Sequence, residues 1–294
     1  FKNQNLIKND EFTYIYNHSV YKYDVDEVKI KKKIDRSKKL NDLVPKVESH
    51  TKNFFSYKYV EGKLLNEQID ISTFNKFLQF CKSELFIPKK LAEDDLNNFH
   101  NSCKTFYKEK THNRLKKFWD ETNIKDEEYT INGVSCKSIN ETLQAINWES
   151  LYDGMPYNFH GDLQPENIIN QNGDFILIDW RETFGESDEI GDIYYDLAKL
   201  DHALLLSGKI VRKGLFEYTK DNNQINISFK VDNGLLDYRE MLYDFIIENE
   251  YDLNKIKILS SLIYLNIAPL YEGNYSYLLY FLGQLKLNQL LYTS

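Results

Sequence analysis

The sequence predicts an α+β chain, with a strand-rich stretch of about sixty residues followed by a longer, mainly helical remainder. Three observations carry this. Aromatic and β-branched residues alternate up to Tyr23 and again over residues 54–60, the period of a strand. From Phe74 onward apolar residues recur at helical spacing. Between residues 157 and 193 an Asn172-Gly173 pair separates two short apolar runs, the signal of a two-residue hairpin turn. With 42% hydrophobic and 15% aromatic residues, the chain can bury a substantial core.

Taken in order, residues 5–23 read as strand, with Phe12, Tyr14, Tyr16, Val20 and Lys22 in step. Val20 and Lys22, two apart, face the same side. Residues 29–43 read as a basic helix with Ile30, Ile34, Leu40 and Leu43 inward, and with the lysines at 31–33, 38 and 39 on a solvated face. Residues 54–60 form a strand that ends at Glu61-Gly62. Helices follow, marked first by Phe74, Phe77, Leu78 and Cys81, then by Leu96, Phe99, Cys103, Phe106 and Tyr107. A hairpin is expected around Asn132-Gly133. Ser138-x-x-Glu141 is a capping box that opens a helix toward Trp148. Beyond the 157–193 stretch, residues 194–206 continue as helix, 224–231 as a short strand, and 235–247, 253–268 and 277–291 as helices. The last is broken by Gly283, Gln284, Lys286, Asn288 and Gln289, so it reads as a core helix rather than a membrane span.

Composition narrows the function. The net charge is −8, yet residues 1–60 carry 13 Lys+Arg against 8 Asp+Glu, so the acidic excess lies in the remainder. An acidic chain argues against a nucleic-acid partner, and an acidic remainder suits a cationic substrate. Cys81, Cys103 and Cys136 are odd in number and widely spaced, which fits neither a zinc pattern nor a disulfide framework. A reducing cytoplasm is the expected location. No secretory leader pattern is visible, and the start at Phe1 rather than Met suggests a piece of a longer polypeptide.

The chemistry concentrates between Tyr157 and Ile193. His160, Asp162 and Asn167 form an H-x-D-x-x-x-x-N string before the hairpin, and Asp179 follows its second apolar run. A loop and a turn-closed ribbon can bring three oxygen donors to one place. Phosphoryl transfer needs such a set: a carboxylate to orient and deprotonate the attacking hydroxyl, and an amide with a second carboxylate to hold Mg²⁺ on the nucleotide phosphates. Mg²⁺ keeps several waters and takes one or two protein carboxylates, so Asn167 and Asp179 suffice as ligands and Asp162 is the base. Asp and Asn also favour turns; the order of the residues and their hairpin context favour the catalytic reading.

The segment HGDLQPEN followed by LIDW resembles the catalytic and metal-binding loops of the aminoglycoside phosphotransferase and choline kinase family, the small-molecule branch of the protein-kinase-like fold. Gln164 stands where that family commonly has His, and Trp180-Arg181 follow the metal aspartate. The later GDIYYDLAKL resembles the family's helix whose aspartate braces the catalytic loop, here Asp192 or Asp196. His160 takes a structural place in the loop. The resemblance implies a two-lobed fold, with a small antiparallel-sheet N-lobe over residues 1–61 and a larger, mainly helical C-lobe over 62–294. It implies transfer of the γ-phosphoryl group of ATP or GTP, with Mg²⁺, to a hydroxyl of a small molecule such as an amino sugar, a choline-like alcohol, a sugar or a polyol. Lys22 would then meet the phosphates, Val20 the base, and the backbones of Tyr57 and Tyr59 the adenine edge.

Two departures from the family pattern stand out. Residues 1–22 contain no glycine, so the phosphate loop is either built from Asn9, Asp10, Asn17 and His18 or lies before Phe1. No glutamate lies between Val28 and Val47 to pair with Lys22; Asp35 and Glu27 are the nearest carboxylates. Candidates for the acceptor pocket are Trp180, Arg181, Glu186, Asp188, Glu189, Tyr271 and Glu272. Aromatic faces suit a quaternary ammonium, carboxylates an amine and Arg181 an anion. The phrases VPKV, FSYKYVEG and DLAKL resemble phosphotransferase domains of bacterial surface-polysaccharide gene clusters. The short interval after Asp179, without an A-P-E string, speaks against a protein kinase. The reading from another class is a catalytically inactive nucleotide-binding or interaction module.

Overall fold

The computed structural model describes residues 11–67 and 70–292. In chain order the elements are β1 (Glu11–Tyr16), β2 (Ser19–Asp24), α1 (Glu27–Leu40), β3 (Val47–His50), β4 (Phe54–Lys58), β5 (Lys63–Leu64), α2 (Ile71–Phe80), α3 (Glu93–Lys104), α4 (Lys110–Glu121), β6 (Tyr129–Ile131), β7 (Val134–Cys136), α5 (Ile139–Ala145) and α6 (Trp148–Tyr152). There follow β8 (Pro156–Tyr157), β9 (Ile168–Gln171), β10 (Asp174–Leu177), β11 (Gly191–Asp192), α7 (Ile193–Leu205), α8 (Gly208–Arg212), β12 (Phe216–Asp221), β13 (Gln224–Phe229), α9 (Asn233–Glu248), α10 (Leu253–Ile267) and α11 (Gly273–Tyr292). The chain forms two compact units, one of residues 1–99 and 155–196, the other of residues 100–154 and 197–294.

The first unit holds an antiparallel sheet in the order β1-β2-β4-β3. The stretch that alternates as one strand in the sequence is a hairpin, because Asn17 and His18 adopt φ of 47° and 59° and close a tight turn between Tyr16 and Ser19. The two expected turn residues Asn9 and Asp10 lie outside the described residues. Pairing of Thr13 with Lys22 and of Ile15 with Val20 puts Val20, Lys22 and Asp24 on one face. Phe12, Tyr14 and Tyr16 fall on the other, where Phe12 and Phe54 both pack on Tyr23. Helix α1 starts at Asp26, whose carboxylate accepts from the Val28 and Lys29 N–H groups. It buries Ile30, Ile34 and Leu40 as the periodicity predicts, and Arg36 with them.

Gly62 then lets the chain cross to β5: its φ is 152°, and a Cβ there would sit 2.6 Å from the Asn170 carbonyl oxygen. β5 joins β9 and β10 in a three-stranded sheet. The β9–β10 hairpin turns on Asn172 (φ 60°) and Gly173 (φ 111°), as their sequence requires. Phe175 packs edge-on against Phe77 of α2, with ring centres 5.4 Å apart.

The second unit combines helices with a sheet in the order β12-β13-β6-β7. The sequence reads only the strand after residue 224; β12 pairs with it through a turn at Asn222, φ 52°, and β13 runs parallel to β6. The Asn132-Gly133 hairpin forms as expected, and Ser138 caps α5 by accepting from the Glu141 N–H. Residues 105–109 form a π-helical turn between α3 and α4 that the periodicity does not reveal. Phe118 stacks on Tyr280 with centres 4.4 Å apart. The polar residues of α11 serve this packing: Gln284 donates to the Lys137 carbonyl, and Asn288 accepts from the Lys137 N–H and donates to the Ser135 carbonyl. Among the described residues no helix is long and apolar enough to cross a membrane. All three cysteines are buried and none is in a disulfide.

Candidate active site

The loop between β8 and β9 is fixed by buried groups beneath it. Gly161 has φ 84°, and a Cβ there would meet the Arg181 Cβ at 2.6 Å and the Phe159 ring at 2.9 Å, so the middle of the His-Gly-Asp string admits no side chain. Asp196, in the first turn of α7, accepts from the backbone N–H groups of His160, Gly161 and Leu163 and from the Tyr157 hydroxyl. It is the brace. Asp192, the other candidate, accepts instead from the Met155 and Tyr194 N–H groups and secures the start of α7.

His160 is fully buried. Its Nδ1 accepts from the Asp162 N–H at 3.3 Å, which assigns the ring proton to Nε2, and that nitrogen donates to the Ile178 carbonyl at 3.0 Å. Burial lowers its pKa below the usual 6.5, against the raising charges of Asp196, Asp162 and Asp179. Both ring nitrogens are thus engaged with backbone groups on either side of the loop.

Asp162 and Asn167 lie side by side. The Asn167 amide nitrogen donates to the Asp162 carbonyl at 2.9 Å and to Asp162 Oδ2 at 3.2 Å, and Gln164 Nε2 donates to the same Oδ2 at 3.2 Å. Because its nitrogen is committed to Asp162, Asn167 turns Oδ1 the other way. The Asn167 carbonyl accepts from the Ile178 N–H at 2.9 Å, which ties this loop to the residue before Asp179. Asp179 itself has φ 58°, a left-handed conformation uncommon outside glycine, asparagine and aspartate.

Asp179 forms an ion pair with Lys22, whose Nζ also donates to Thr13 Oγ1 at 2.8 Å. Of the expected partners, neither carboxylate near α1 reaches Lys22: Asp35 pairs with Lys38 and Glu27 with Lys52. The tie between helix and strand is charge-reversed, since Lys29 of α1 bridges Asp24 of β2 at 2.5 Å and Glu11 of β1 at 3.3 Å. Val20 packs on the Lys22 face, opposite Tyr57. The Tyr57 side chain is buried and packs on Trp180; burial and then the charge of Asp179 raise its pKa. The Tyr59 N–H donates to the His18 carbonyl at 2.8 Å. By alternation of antiparallel pairs, Tyr57 then exchanges its backbone bonds with Val20. The Tyr59 N–H and the backbone groups of Tyr57, expected at the adenine edge, therefore serve the sheet. Beside them, Tyr59, Val60, Glu61, Pro45, Ile176 and His18 line a cavity of about 570 Å³.

The acceptor candidates divide. Trp180 is buried, donates its indole N–H to the Lys33 carbonyl at 2.8 Å and packs on Phe55 and Tyr57; it is a packing residue beneath α1, not a pocket wall. Glu189 also faces α1, through an ion pair with Lys39 that lowers its pKa. Arg181 stays at the loop: burial works against its charge, but Tyr195, Asp162, Glu182 and Asp196 outweigh it. Glu186 and Asp188 are exposed. Glu272, with Tyr271, lies in the second unit, where Glu272 is exposed.

One residue escapes the sequence reading altogether. Arg36 of α1 is 1% exposed; it donates to the Phe159 carbonyl and to the Glu189 carbonyl at 3.1 Å, and its guanidinium lies 4.0 Å from the centre of the Phe159 ring. Burial lowers its pKa to about 10. The available signal is its position four residues before Leu40, on the inward stripe of α1.

No protein-family model matches the chain, and no curated protein sequence does either. Solved structures do match. The streptomycin-ATP-APH(2")-IIa ternary complex aligns with a TM-score of 0.51 at 16% identity, covering 90% of this chain and 83% of that one. The gentamicin complex of APH(2")-IIa gives 0.49 at 16% identity over 96% and 88% of the two chains. Plasmodium vivax ethanolamine kinase gives 0.47 at 13% over 98% and 84%. At such identities the likeness is one of fold: the chain has the protein-kinase-like α+β fold, with an antiparallel sheet toward the N-terminus and a helical C-terminal part.

Proposed function

We propose that this protein transfers the γ-phosphoryl group of a nucleoside triphosphate to a hydroxyl of a small molecule. The observation that carries the reading is the pair of linked contacts, Asp162 with Asn167 and Asp179 with Lys22, on one compact unit. In the reaction Asp162 accepts the proton of the acceptor hydroxyl as its oxygen attacks the γ-phosphorus. The bond from γ-phosphorus to the bridging oxygen breaks, and the nucleoside diphosphate leaves. Asn167 and Gln164 hold the Asp162 carboxylate in place through its Oδ2. Lys22 exchanges Asp179 for the phosphates, and Arg181 adds positive charge beside Asp162.

The donor set fits a hard divalent cation. Asn167 Oδ1 and the Asp179 carboxylate are oxygen donors, and two such ligands with phosphate oxygens suit Mg²⁺. Among the described residues no group of three His, Cys, Asp or Glu side chains could hold a metal unaided, so the cation would arrive with the nucleotide. When bound, it neutralises charge on the phosphates.

The remaining assignments belong to the same proposal. Residues 1–61 act as the nucleotide-covering lobe and 62–294 as the lobe that carries the loops and receives the acceptor. ATP is the donor to test first, with GTP beside it. The named neighbour holds ATP and streptomycin, and a hydroxylated small molecule is the acceptor class proposed for this chain. Its buried cysteines, none of them in a disulfide, suit a reducing, nucleotide-rich compartment such as the cytoplasm.

A panel of amino sugars, amino alcohols, sugars and polyols, scored for phosphate incorporation from MgATP and MgGTP, tests the reading. Asp162→Asn is expected to lower turnover by at least about 100-fold and to leave nucleotide binding in place. Unchanged turnover in that variant removes Asp162 as the base. The second reading, an inactive nucleotide-binding module, is favoured by the missing strand–helix Lys–Glu pair. It predicts nucleotide binding with no incorporation into any acceptor.

A further inference from the structure

Four helices of the second unit bring one carboxylate and three cations together. Asp201 of α7 is 1% exposed; it accepts from Arg239 Nε of α9 at 2.6 Å and from the Tyr243 hydroxyl at 2.8 Å. The Arg239 guanidinium lies 5.1 Å from the centre of the Tyr243 ring, and the Lys257 ammonium of α10 lies 4.9 Å from the same centre. Lys286 of α11 is half-buried: burial lowers its pKa first, the charge of Arg239 lowers it further, that of Asp201 raises it and that of Lys257 lowers it.

The charges do not balance locally. Asp201 is matched by Arg239, whereas among the described residues Lys257 and Lys286 have no carboxylate within ion-pair distance. The tyrosines cannot supply the missing negative charge, because burial and then Asp201 push the phenols of Tyr243 and Tyr264 up. Gathering partly buried like charges is unfavourable, and a fold that does so leaves a place for a counter-charge. Arg239 is prepared for that role. Its Nε is occupied by Asp201, and its two terminal nitrogens have no hydrogen-bond partner among the described residues, the fork that oxyanions take.

We propose that Arg239, Lys257 and Lys286 form a binding site for a small oxyanion, a phosphate, sulfate or carboxylate, either free or carried on a metabolite. The site lies wholly in the second unit and stands apart from the phosphoryl-transfer reading, so either can fail alone.

The test is thermal melting of the full chain in sodium phosphate against sodium chloride of matched ionic strength. Chloride matching removes the general salt effect, and the variants remove the stabilisation that phosphate gives any protein. The wild type should gain several degrees from phosphate over chloride. Lys257→Gln with Lys286→Gln should abolish that gain and melt no lower than wild type in chloride, since the repulsion is gone. Lys257→Arg with Lys286→Arg should keep the gain. Should the Gln pair fold poorly, Lys286→Gln alone, at a half-buried position, should weaken phosphate binding by about tenfold. Titration with inorganic phosphate, glucose 6-phosphate and glucuronate separates the sources. Equal affinity for all three points to a free oxyanion, and tighter binding of the sugar derivatives points to a carried group. An equal phosphate gain in wild type and Gln pair, or no gain in wild type, overturns the proposal.

Discussion

At the scale of single residues, the loop that carries Asp162 is held by buried groups beneath it. Asp196 collects three backbone N–H groups and one hydroxyl, and in the sequence it could not be told from Asp192, because both sit in one acidic, aromatic phrase. His160 bonds to backbone groups through both ring nitrogens, to the Asp162 N–H and the Ile178 carbonyl. Its burial makes a pH signature. The folded pKa lies below the usual 6.5, so between the two values the unfolded chain carries a proton that the folded chain lacks, and stability rises with pH. The contribution is complete above about pH 6.5 and is lost as the pH falls below it. Urea midpoints measured from pH 7.5 down to 5.5 should fall more for wild type than for His160→Gln. Parallel curves would show that the imidazole titrates freely. Gly161→Ala should cost about 1–3 kcal/mol, because a residue at φ 84° is strained and its methyl has nowhere to go.

At the scale of elements, the hairpins were read correctly because their turns are encoded in two adjacent residues. Asn172-Gly173 and Asn132-Gly133 both adopt the positive φ that their types favour. The position of α1 could not be read that way. It depends on partners far along the chain: Arg36 reaches the Phe159 and Glu189 carbonyls, Trp180 donates to Lys33, and Lys29 bridges Asp24 and Glu11. A pattern search for a glutamate on α1 misses a tie that has been built with the charges exchanged. The consequence is that α1 is held independently of Lys22, which leaves Lys22 to Asp179 and, in the proposed reaction, to the phosphates. Lys29→Met should cost about 2 kcal/mol, below the roughly 3–5 kcal/mol of a fully buried pair, because Lys29 keeps some contact with water. Exchanging the pair, Asp24→Lys with Lys29→Asp, should recover part of that loss; the Asp26 N–H bond to Asp24 is not recovered. Arg36→Lys keeps the charge but cannot span both carbonyls, so it should lower kcat while leaving the KM for nucleotide nearly unchanged. A fall in stability with unaltered kinetics would reduce Arg36 to a packing role.

At the scale of the whole molecule, the apolar periodicity of the sequence was enough to set the class of fold. It could not supply the pairing of β12 with β13 or the π-helical turn after α3, both of which are decided by tertiary packing. Stability is where the site and the rest of the chain meet. A ligand that binds only the folded state stabilises it by about 2.7 kcal/mol at a hundred times its Kd, so MgATP should raise the melting temperature on the order of 5 °C. Lys22 and Asp179 neutralise each other. ATP alone has to recruit Lys22 away from Asp179 and leaves a bare carboxylate near its phosphates, whereas MgATP gives each of them a partner. The melting shift should therefore be much larger with Mg²⁺ than without. In Asp179→Asn that difference should collapse: ATP alone no longer meets the carboxylate, and the metal has lost a charged ligand. Equal shifts with and without Mg²⁺ in the wild type would leave Asp179 without the role assigned to it, and no shift in either condition would remove the nucleotide itself.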